Sequence, residues 1–512
     1  MGKVGVAPLT RTLTRRRNPW PAIAAFVVAV LIQLALVFIG PSNLGIGILL
    51  AAVGAAVVFI GLASPVLAVL LFLLAAFLQL ALPVSFLPVD PFVLAFAGVL
   101  ASAVIGIVRR VNRLPQLGAV EAFMVLYLLW SVGSAIVPHI YPATVPITGE
   151  ELAVWRFILT GTVIPFVLYG VGRFVFDREL VLRRLLWFAL GFAAYSAVVS
   201  VMQFHGPTAL VWPRFIVEDP SWDARAVGVL DQPVVNGLIL IVGFVVALHL
   251  AHASPAQPWR RAGAYALAVV AAYAVYLTHT RVIWLAFVVV LIAGAVLARG
   301  LRPGFLTGLG AVVLGIGATW SDFISADRDA GGVASAGEVE DRLNSLTTSI
   351  WAVQEKPLAG WGIGRFAVVN TYHHQQWSPD VDWARGYGIA SHFNELGIAA
   401  ELGLVGLGLW LAVLVLIFHR LVTAVGLLSE GGAGRNLAIV ALLSFIALLV
   451  AGATVDLRFF VFPNALVMLL VGIAVGYADR AVAASDTTNG PSDAVAGTSV
   501  PVSVPERSVV SR

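Results

Sequence analysis

Long apolar runs separated by short polar segments follow one another along most of the chain. Runs such as "AIAAFVVAVLIQLALVFI" carry no charge, and many approach the roughly 20 apolar residues that a helix needs to cross a bilayer. Membrane β-strands would instead give segments of about ten residues with alternating polarity. The pattern predicts an all-α, polytopic integral membrane protein with about 12–14 transmembrane helices. The predicted spans cover residues 20–40, 43–62, 65–82, 91–108, 117–137, 153–172, 185–204, 232–252, 263–279, 282–298, 305–320, 392–418, 437–455 and 460–478.

The longest polar stretch between predicted spans, residues 321–391, is predicted to form one large extracytoplasmic loop. Within it, "RLNSLTTSIWAVQEK" is typical of an amphipathic helix and "PLAGWGIGRF" of a turn punctuated by glycine. The rest of the chain divides into a basic tail, a run of helices with short loops, a C-terminal group of helices and a Ser/Thr/Pro/Val-rich tail that is expected to be disordered. These four parts are residues 1–19, 20–320, 392–480 and 481–512.

Composition supports this class, because 60% of the residues are hydrophobic and only 11% are charged. A soluble domain is about half apolar and about a quarter charged. The chain has no cysteine, which excludes disulfides and thiolate chemistry. The segment "MGKVGVAPLTRTLTRRRNPW" has neither a short apolar core nor a small-residue cleavage site, so it is interpreted as a cytoplasmic tail and not as a signal peptide.

The distribution of basic residues predicts the orientation. With the N-terminus inside and the spans alternating, 21 of the 31 Lys and Arg residues fall inside and 10 fall outside. This is the positive-inside bias expected of a correct topology, here with both termini cytoplasmic. The net charge of +4 is small and indicates no nucleic-acid partner. Chemistry is therefore expected on the extracytoplasmic side, where the long loop lies.

The stretch "ASHFNELGIAAELG" places polar residues at the very start of an apolar span. Ser391 is a plausible N-cap, and Glu395 suits the first turn of a helix because the helix dipole favours negative charge there. Capping does not explain His392, which that dipole would keep neutral near pH 7. A neutral imidazole can take a proton from a sugar hydroxyl, so His392 is either a residue that fills the interface or a general base.

Three arginines stand on the side where the positive-inside rule disfavours them. Arg281 occupies a tight turn in "YLTHTRVIWLAF", Arg342 opens the amphipathic segment of the long loop, and Arg225 precedes a span. Each arginine could also lie there without any function in binding or catalysis, either by extending its side chain to the membrane interface or by pairing with a nearby carboxylate, such as Glu338 or Asp341 for Arg342. Arginine also holds phosphate oxygens with a planar fork of donors, so together they could clamp a lipid diphosphate on the outer face.

Two further groups leave alternatives open. His373 and His374 lie close in sequence to Asp380 and Asp382, which could suggest a metal site. Adjacent histidines rarely bind the same ion, however, and this spacing fits no standard site. No metal or other cofactor is therefore predicted. Aromatic residues of the long loop either stack on sugar rings or pack the loop onto the membrane surface. These residues are Tyr372, Trp377, Trp383 and Tyr387.

The order of these residues resembles the O-antigen ligase and O-antigen polymerase superfamily of bacterial membrane enzymes. That pattern has an arginine in a short outer turn, an arginine several residues before a tryptophan, and then Pro-x-x-Gly-x-Gly-x-Gly. It continues with His-Asn at a helix start, a leucine, a glutamate and two spaced glycines. The matching residues are Arg281, Arg342, Trp351, Pro357, Gly360, Gly362, Gly364, His392, Leu396, Glu401, Gly403 and Gly406, with Arg225, Gly228, Pro233 and Asn236 similar to an upstream element. The likeness covers residues 225–410 and departs at Phe393, which stands where the pattern has Asn, one place before Asn394.

The resemblance implies inverting glycosyl transfer without ATP, metal or other cofactor, from a glycan carried on undecaprenyl diphosphate to an acceptor hydroxyl. Arg281 and Arg342 would bind the diphosphate and His392 would activate the acceptor, which makes these three the predicted catalytic residues. Arg225, Arg365, Asn394 and Glu395 are the predicted substrate-binding residues. The expected partners are the lipid-linked donor, a glycan, lipid or protein acceptor, and membrane lipids.

The competing interpretation is a flippase or secondary transporter of lipid-linked saccharides. Such proteins place charged sites near the bilayer midplane and often show internal repeats. Here the unusual charges lie at the predicted outer boundary and no repeat is visible. Transfer is therefore favoured over transport, while polymerase and ligase remain undistinguished because they differ only in the acceptor.

Overall fold

The computed structural model describes residues 64–82, 90–108, 117–145, 149–176, 178–222, 224–327, 332, 337–430 and 432–488. The helices are α1 (Pro65–Phe77), α2 (Pro91–Val108), α3 (Ala119–Ile136), α4 (Val154–Ile158), α5 (Ile164–Val175), α6 (Glu179–His205), α7 (Phe215–Glu218), α8 (Pro233–His252), α9 (Pro258–Leu277), α10 (Arg281–Leu297), α11 (Arg302–Ala318), α12 (Trp320–Phe323), α13 (Gly337–Glu355), α14 (Phe366–Tyr372), α15 (Asn394–Leu427), α16 (Ala433–Gly452) and α17 (Val461–Thr488). A π-helical turn, Leu159–Val163, joins α4 to α5.

The predicted all-α, polytopic class is confirmed. Among the described residues, eight helical segments are long and apolar enough to cross a membrane, and three further apolar helices are shorter. Each predicted span that falls in the described ranges coincides with a helix. The tail 1–19, the first two predicted spans and residues 489–512 lie outside the described residues. The last helix continues to Thr488, beyond the end of the predicted span at residue 478.

Helix α8 forms the centre of the bundle. Its residues from Pro233 to Ala251 are all buried, and it packs against α6, α9 and α16. A helix that is apolar on every side can face either lipid or other helices, and here the stretch "LILIVGFVVAL" is surrounded by other helices.

Small residues let α5 and α17 approach closely. A Cβ atom at Gly172 would lie 2.6 Å from the carbonyl oxygen of Leu469, and one at Gly472 would lie 2.0 Å from that of Tyr169. Close backbone contact of this kind is how membrane helices gain packing energy where lipid removes the hydrophobic driving force. This pair fixes the position of the segment that precedes α17.

Ion pairs sort by predicted side of the membrane. Arg173 pairs with Glu121 and Asp479, all three of which the span pattern places inside. Arg156 pairs with Asp90 at 2.8 Å, and both are placed outside. These ion pairs agree with the predicted sides of the residues that form them, and which side faces the cytoplasm stays a prediction.

The long segment 321–391 folds against the start of α15 through α13 and α14. Two fully buried asparagine side chains hold its irregular part. The Asn344 amide donates to the carbonyl oxygen of Asp382 at 3.0 Å, and the Asn370 amide donates to that of Gly386 at 2.7 Å. Because buried carbonyl groups need donors, these two residues determine how the loop is folded.

Candidate functional site

The turn between α9 and α10 places Arg281 at the first position of a helix. Only three residues separate Leu277 from Arg281, and their threonine hydroxyls close the turn. The Thr278 hydroxyl donates to the carbonyl oxygen of Val275 at 2.8 Å, and the Thr280 hydroxyl donates to that of Thr278 at 2.7 Å. The tight turn predicted around Arg281 is therefore confirmed, and its place on the outer side stays a prediction.

The segment that carries Arg225 is fastened to this turn. The Ala226 amide donates to the carbonyl oxygen of Leu277 at 2.9 Å, and the buried Asn236 side chain donates to the carbonyl oxygen of Ala226 at 2.9 Å. Gly228 has a φ of +61°, and a Cβ atom there would lie 2.3 Å from Asn236 Oδ1. Gly228 and Asn236 thus fit one another, and together they bring Arg225 toward the turn.

Arg342 completes a group of three arginines. It lies in the second turn of α13, where its Nη2 is 3.6 Å from Oε2 of Glu338, while Oε1 of the same carboxylate pairs with Arg225. Burial lowers the pKa of Arg342, and the charges of Arg281 and Arg225 lower it further. Three segments far apart in the chain thus converge on one positively charged site, and the predicted ion pair of Arg342 with Glu338 is also present.

His392 lies next to this group, directly before α15. Burial lowers its pKa to about 4, and the positive charge of Arg342 contributes to the shift. The imidazole is therefore neutral near pH 7, as predicted from its position at a helix start, but burial and Arg342 are the causes. It can accept a proton from a group bound beside the arginines.

The cap of α15 differs from the prediction. The N-cap residue is Phe393, and Ser391 lies two residues earlier. The Ser391 hydroxyl accepts from the Phe393 amide at 3.2 Å and donates to the Phe393 carbonyl oxygen at 2.8 Å, so it closes a turn that carries His392. The prediction of Ser391 as N-cap is wrong, because the hydroxyl is used one turn before the helix begins. Glu395 lies in the first turn as expected.

Asn394 and Glu395 follow as the first two residues of the helix. Asn394 is buried, and its amide donates to Glu395 Oε1 at 3.2 Å. Both line an apolar cavity between α5, α15, α16 and α17, together with Trp410. Their predicted role in substrate binding stays a prediction.

A glycine-rich turn docks into a break in α15. Gly403 has φ 69° and ψ −175°, which only glycine adopts readily, and this interrupts the helix. The Trp361 amide donates to the carbonyl oxygen of Ala400 at 2.9 Å, and the Leu404 amide donates to that of Pro357 at 2.7 Å. A Cβ atom at Gly360 would lie 2.4 Å from the carbonyl oxygen of Glu401. The spaced glycines therefore allow two backbones to meet.

A buried ionic triad supports this junction, and sequence reasoning did not identify it. Glu401 Oε2 lies 2.7 Å from Arg458 Nη1, and Arg458 Nη2 lies 2.6 Å from Asp456 Oδ2, with at most 5% of each side chain exposed. Glu401 also accepts from the Phe366 amide at 3.2 Å. Asp456 and Glu401 raise the pKa of Arg458, despite the opposing effect of burial. The signal was available, because Arg458 is another arginine on the predicted outer side.

The predicted substrate-binding residue Arg365 has a different environment. Its Nε donates to the carbonyl oxygen of Tyr141 at 2.8 Å, and its Nη1 donates to that of Ile363 at 2.9 Å. Burial lowers its pKa, and Glu401 partly opposes this. These contacts fasten the end of the glycine turn to the segment after α3, and its binding role stays a prediction.

Rings of the long loop pack on one another. Tyr372 stacks on Tyr141 with ring centroids 5.0 Å apart, and Trp383 lies 4.7 Å from Tyr387. Of the adjacent histidines, His373 accepts or donates at the Tyr141 hydroxyl at 2.8 Å, whereas His374 bonds to Asn370 at 2.7 Å. Packing within the loop and against Tyr141, in the segment after α3, accounts for these contacts. No group of three metal-ligating side chains is found among the described residues.

A comparison with known protein families shows which family part of the chain resembles. Residues 266–411 match the family described as O-antigen ligase, which is 146 of the 512 residues. This segment is similar to the O-antigen ligase family, which confirms the resemblance over residues 266–411. The match supports an O-antigen ligase- or polymerase-like membrane enzyme. No curated protein matches the chain.

The O-antigen ligase segment contains most of the site. Arg281, Arg342 and His392 lie within it, as does Glu401. Arg225 and the ionic partner Arg458 lie outside its limits. The contacts of Glu338 with Arg225 and of Glu401 with Arg458 therefore join this segment to the chain on either side of it.

Proposed function

We propose that the protein transfers a glycan from a polyprenyl-diphosphate donor, undecaprenyl diphosphate in bacteria, to an acceptor hydroxyl on the extracytoplasmic face of the inner membrane. The observation that carries the proposal is the convergence of three arginines and one neutral histidine at the helix ends. The N- and C-termini are then cytoplasmic, and the loop 321–391 covers the glycan.

The arginines bind the diphosphate. Arg281 stands at the end of α10, where a lipid diphosphate lies with its chain in the bilayer and its charge at the boundary. Arg225 and Arg342 approach from the loops above. Guanidinium groups bind phosphate oxygens in pairs of parallel hydrogen bonds, which fixes orientation as well as charge.

In the transfer step one glycosidic bond forms, the bond to the diphosphate breaks, and one proton is transferred. The acceptor oxygen attacks the anomeric carbon of the donor glycan from the face opposite the diphosphate, and the carbon–oxygen bond to the diphosphate breaks with its electron pair. His392 takes the acceptor proton, and the arginines stabilise the charge that develops on the leaving diphosphate. The anomeric configuration is inverted, and the leaving diphosphate makes a nucleotide unnecessary.

Binding of the donor also adjusts the base. Arg342 contributes to the low pKa of His392 in the free site. Burial is the larger cause of the low pKa, and a bound diphosphate offsets only the contribution of Arg342. The pKa of His392 is therefore higher with the donor in place than in the free site, which makes the imidazole a stronger base there.

The acceptor is a glycan, a lipid or a protein, and the site chemistry is the same for each. Tyr372 and Trp383 are 65% and 49% exposed and offer ring surface at the edge of the loop. Exclusion of water from the covered donor favours transfer over hydrolysis.

The test uses the full chain in liposomes that hold a glycan on undecaprenyl diphosphate, with wild type compared with Arg342→Ala. Transfer predicts release of undecaprenyl diphosphate together with a longer or transferred glycan, and loss of both in the variant. Recovery of the donor chemically intact on the opposite leaflet would instead establish a flippase. The size of the product distinguishes polymerase from ligase.

A further inference from the structure

One carboxylate lies among the three arginines. Glu338, in the first turn of α13, pairs with Arg225 through Oε1 and lies 3.6 Å from Arg342 through Oε2. Its two oxygens thus face guanidinium groups from two different segments. A diphosphate bound by Arg225 and Arg342 needs these same donors.

The neighbouring acids of the helix do not share this position. Asp341 lies 3.0 Å from Arg385 Nε, and Glu340 lies 3.7 Å from the same atom. They serve to fasten the later part of the loop to α13. Among these three acids, Glu338 is the one that pairs with both Arg225 and Arg342, whereas Asp341 acts on Arg342 through its charge.

The charges suggest what the carboxylate does. The three arginines and Glu338 together carry a net charge of +2, and the nearby Asp341 also acts on Arg342. A glycosylated lipid diphosphate carries about two negative charges, whereas the free lipid diphosphate that leaves carries about three when its terminal phosphate is fully ionised. Without Glu338 the site would carry one more positive charge and would hold both the donor and the leaving lipid diphosphate more tightly, which slows release of the leaving group.

We propose that Glu338 is a positioning residue that acts as the internal counter-anion of the donor site. It holds Arg225 and Arg342 together in the empty site, yields their donors to the incoming diphosphate, and returns to them as the lipid diphosphate departs. This inference rests on the proposed function, because it takes the arginines as the diphosphate site.

The removal of this charge has an unusual signature. In Glu338→Gln the side chain keeps its size and no longer competes for the arginines, so diphosphate binds more tightly while the empty protein becomes less stable. A residue with only a structural role would show weaker binding when it is altered. Glu340→Gln is the matched control, since it makes the same change of charge two residues away.

The experiment titrates inorganic pyrophosphate, and separately undecaprenyl diphosphate, into the full chain in nanodiscs. Glu338→Gln is expected to lower the Kd for both ligands by about three- to tenfold. Turnover by this variant should be inhibited at lower concentrations of the product undecaprenyl diphosphate, and its Tm without ligand should be lower than that of the wild type. Glu338→Asp should restore most of the wild-type Kd, and Glu340→Gln should match the wild type. The titration with pyrophosphate measures binding at the charged site alone, and the titration with undecaprenyl diphosphate measures how much the polyprenyl chain adds to the affinity.

An unchanged or raised Kd in Glu338→Gln would overturn the proposal, even if the arginines bind diphosphate. Loss of the arginine site itself is detected separately. If Arg342→Ala binds both ligands as the wild type does, the proposed function fails and the role of Glu338 fails with it.

Discussion

Glu401 and Arg458 form an ion pair of 2.7 Å in which at most 5% of either side chain is exposed. The pair joins the break in α15 to the segment before α17. Removal of Arg458 would leave Glu401 and Asp456 as uncompensated buried charges, which commonly costs several kcal/mol. The glycine turn and the His392 segment both depend on this junction.

Arg458→Gln is therefore expected to destabilise the protein by about 3–5 kcal/mol. The amide carries no charge and leaves Glu401 and Asp456 without the cation that they share, so the loss reports the charge. Unfolding in a titration with SDS measures it. The control is Arg299→Gln, which breaks an exposed pair with Glu430 and should change stability by less than about 1 kcal/mol. Equal losses in the two variants would contradict the role of the buried pair.

Gly403→Ala is expected to prevent the glycine turn from docking. The added Cβ would lie 2.2 Å from the carbonyl oxygen of Leu358, and φ at this residue is +69°. Gly408→Ala, in the same helix with nothing within 4 Å of the added atom, should leave stability unchanged or slightly raised. Thermal unfolding of both variants in nanodiscs gives the comparison, and a wild-type Tm for Gly403→Ala would refute the close approach.

Arg342→Lys is expected to lower kcat/KM for the donor by about 10- to 100-fold, because an ammonium keeps the charge but loses the planar fork. Arg214→Lys is the control, since Arg214 is exposed and pairs with Glu218 at 3.0 Å. Steady-state release of lipid diphosphate measures both. If the two variants show the same kcat/KM, charge alone is sufficient and the bidentate clamp is wrong.

His392 makes stability depend on pH. Its pKa is about 4 in the folded protein against an ordinary value of 6.5, so the unfolded chain binds more protons between these values. Stability contributed by the neutral imidazole is complete above pH 6.5 and is lost as the pH falls toward 4. Wild type should lose about 2 kcal/mol more than His392→Gln between pH 7 and pH 4.5. Parallel losses in thermal unfolding at the two pH values would show that His392 is not held neutral.

Hydropathy predicted the helices well, because every backbone group in lipid must be satisfied within its own helix and apolar length is therefore sufficient. The arginines were found for a related reason. Arg281 and Arg342 stood where the positive-inside rule disfavours them, and the structure brings them together.

Contacts made across long distances in sequence could not be predicted. Arg458 broke the same rule, but its partner Glu401 lies 57 residues away, so no spacing motif showed the pair. Arg365 looked like a substrate ligand, yet its donors go to the carbonyl oxygens of Tyr141 and Ile363. The cap of α15 shifted by two residues because Ser391 closes a local turn that sequence preference does not show.

The central claim is that His392 and the arginines act in one transfer step, and a single-turnover measurement tests it most directly. Full-length protein in nanodiscs is mixed with donor and acceptor, and undecaprenyl diphosphate release is followed for wild type, His392→Gln and the control His205→Gln, an exposed histidine that bonds to Tyr273. The account predicts that His392→Gln binds the donor with near wild-type Kd but releases diphosphate at least about 100-fold more slowly, while the control matches the wild type. Release by His392→Gln at the wild-type rate would contradict it.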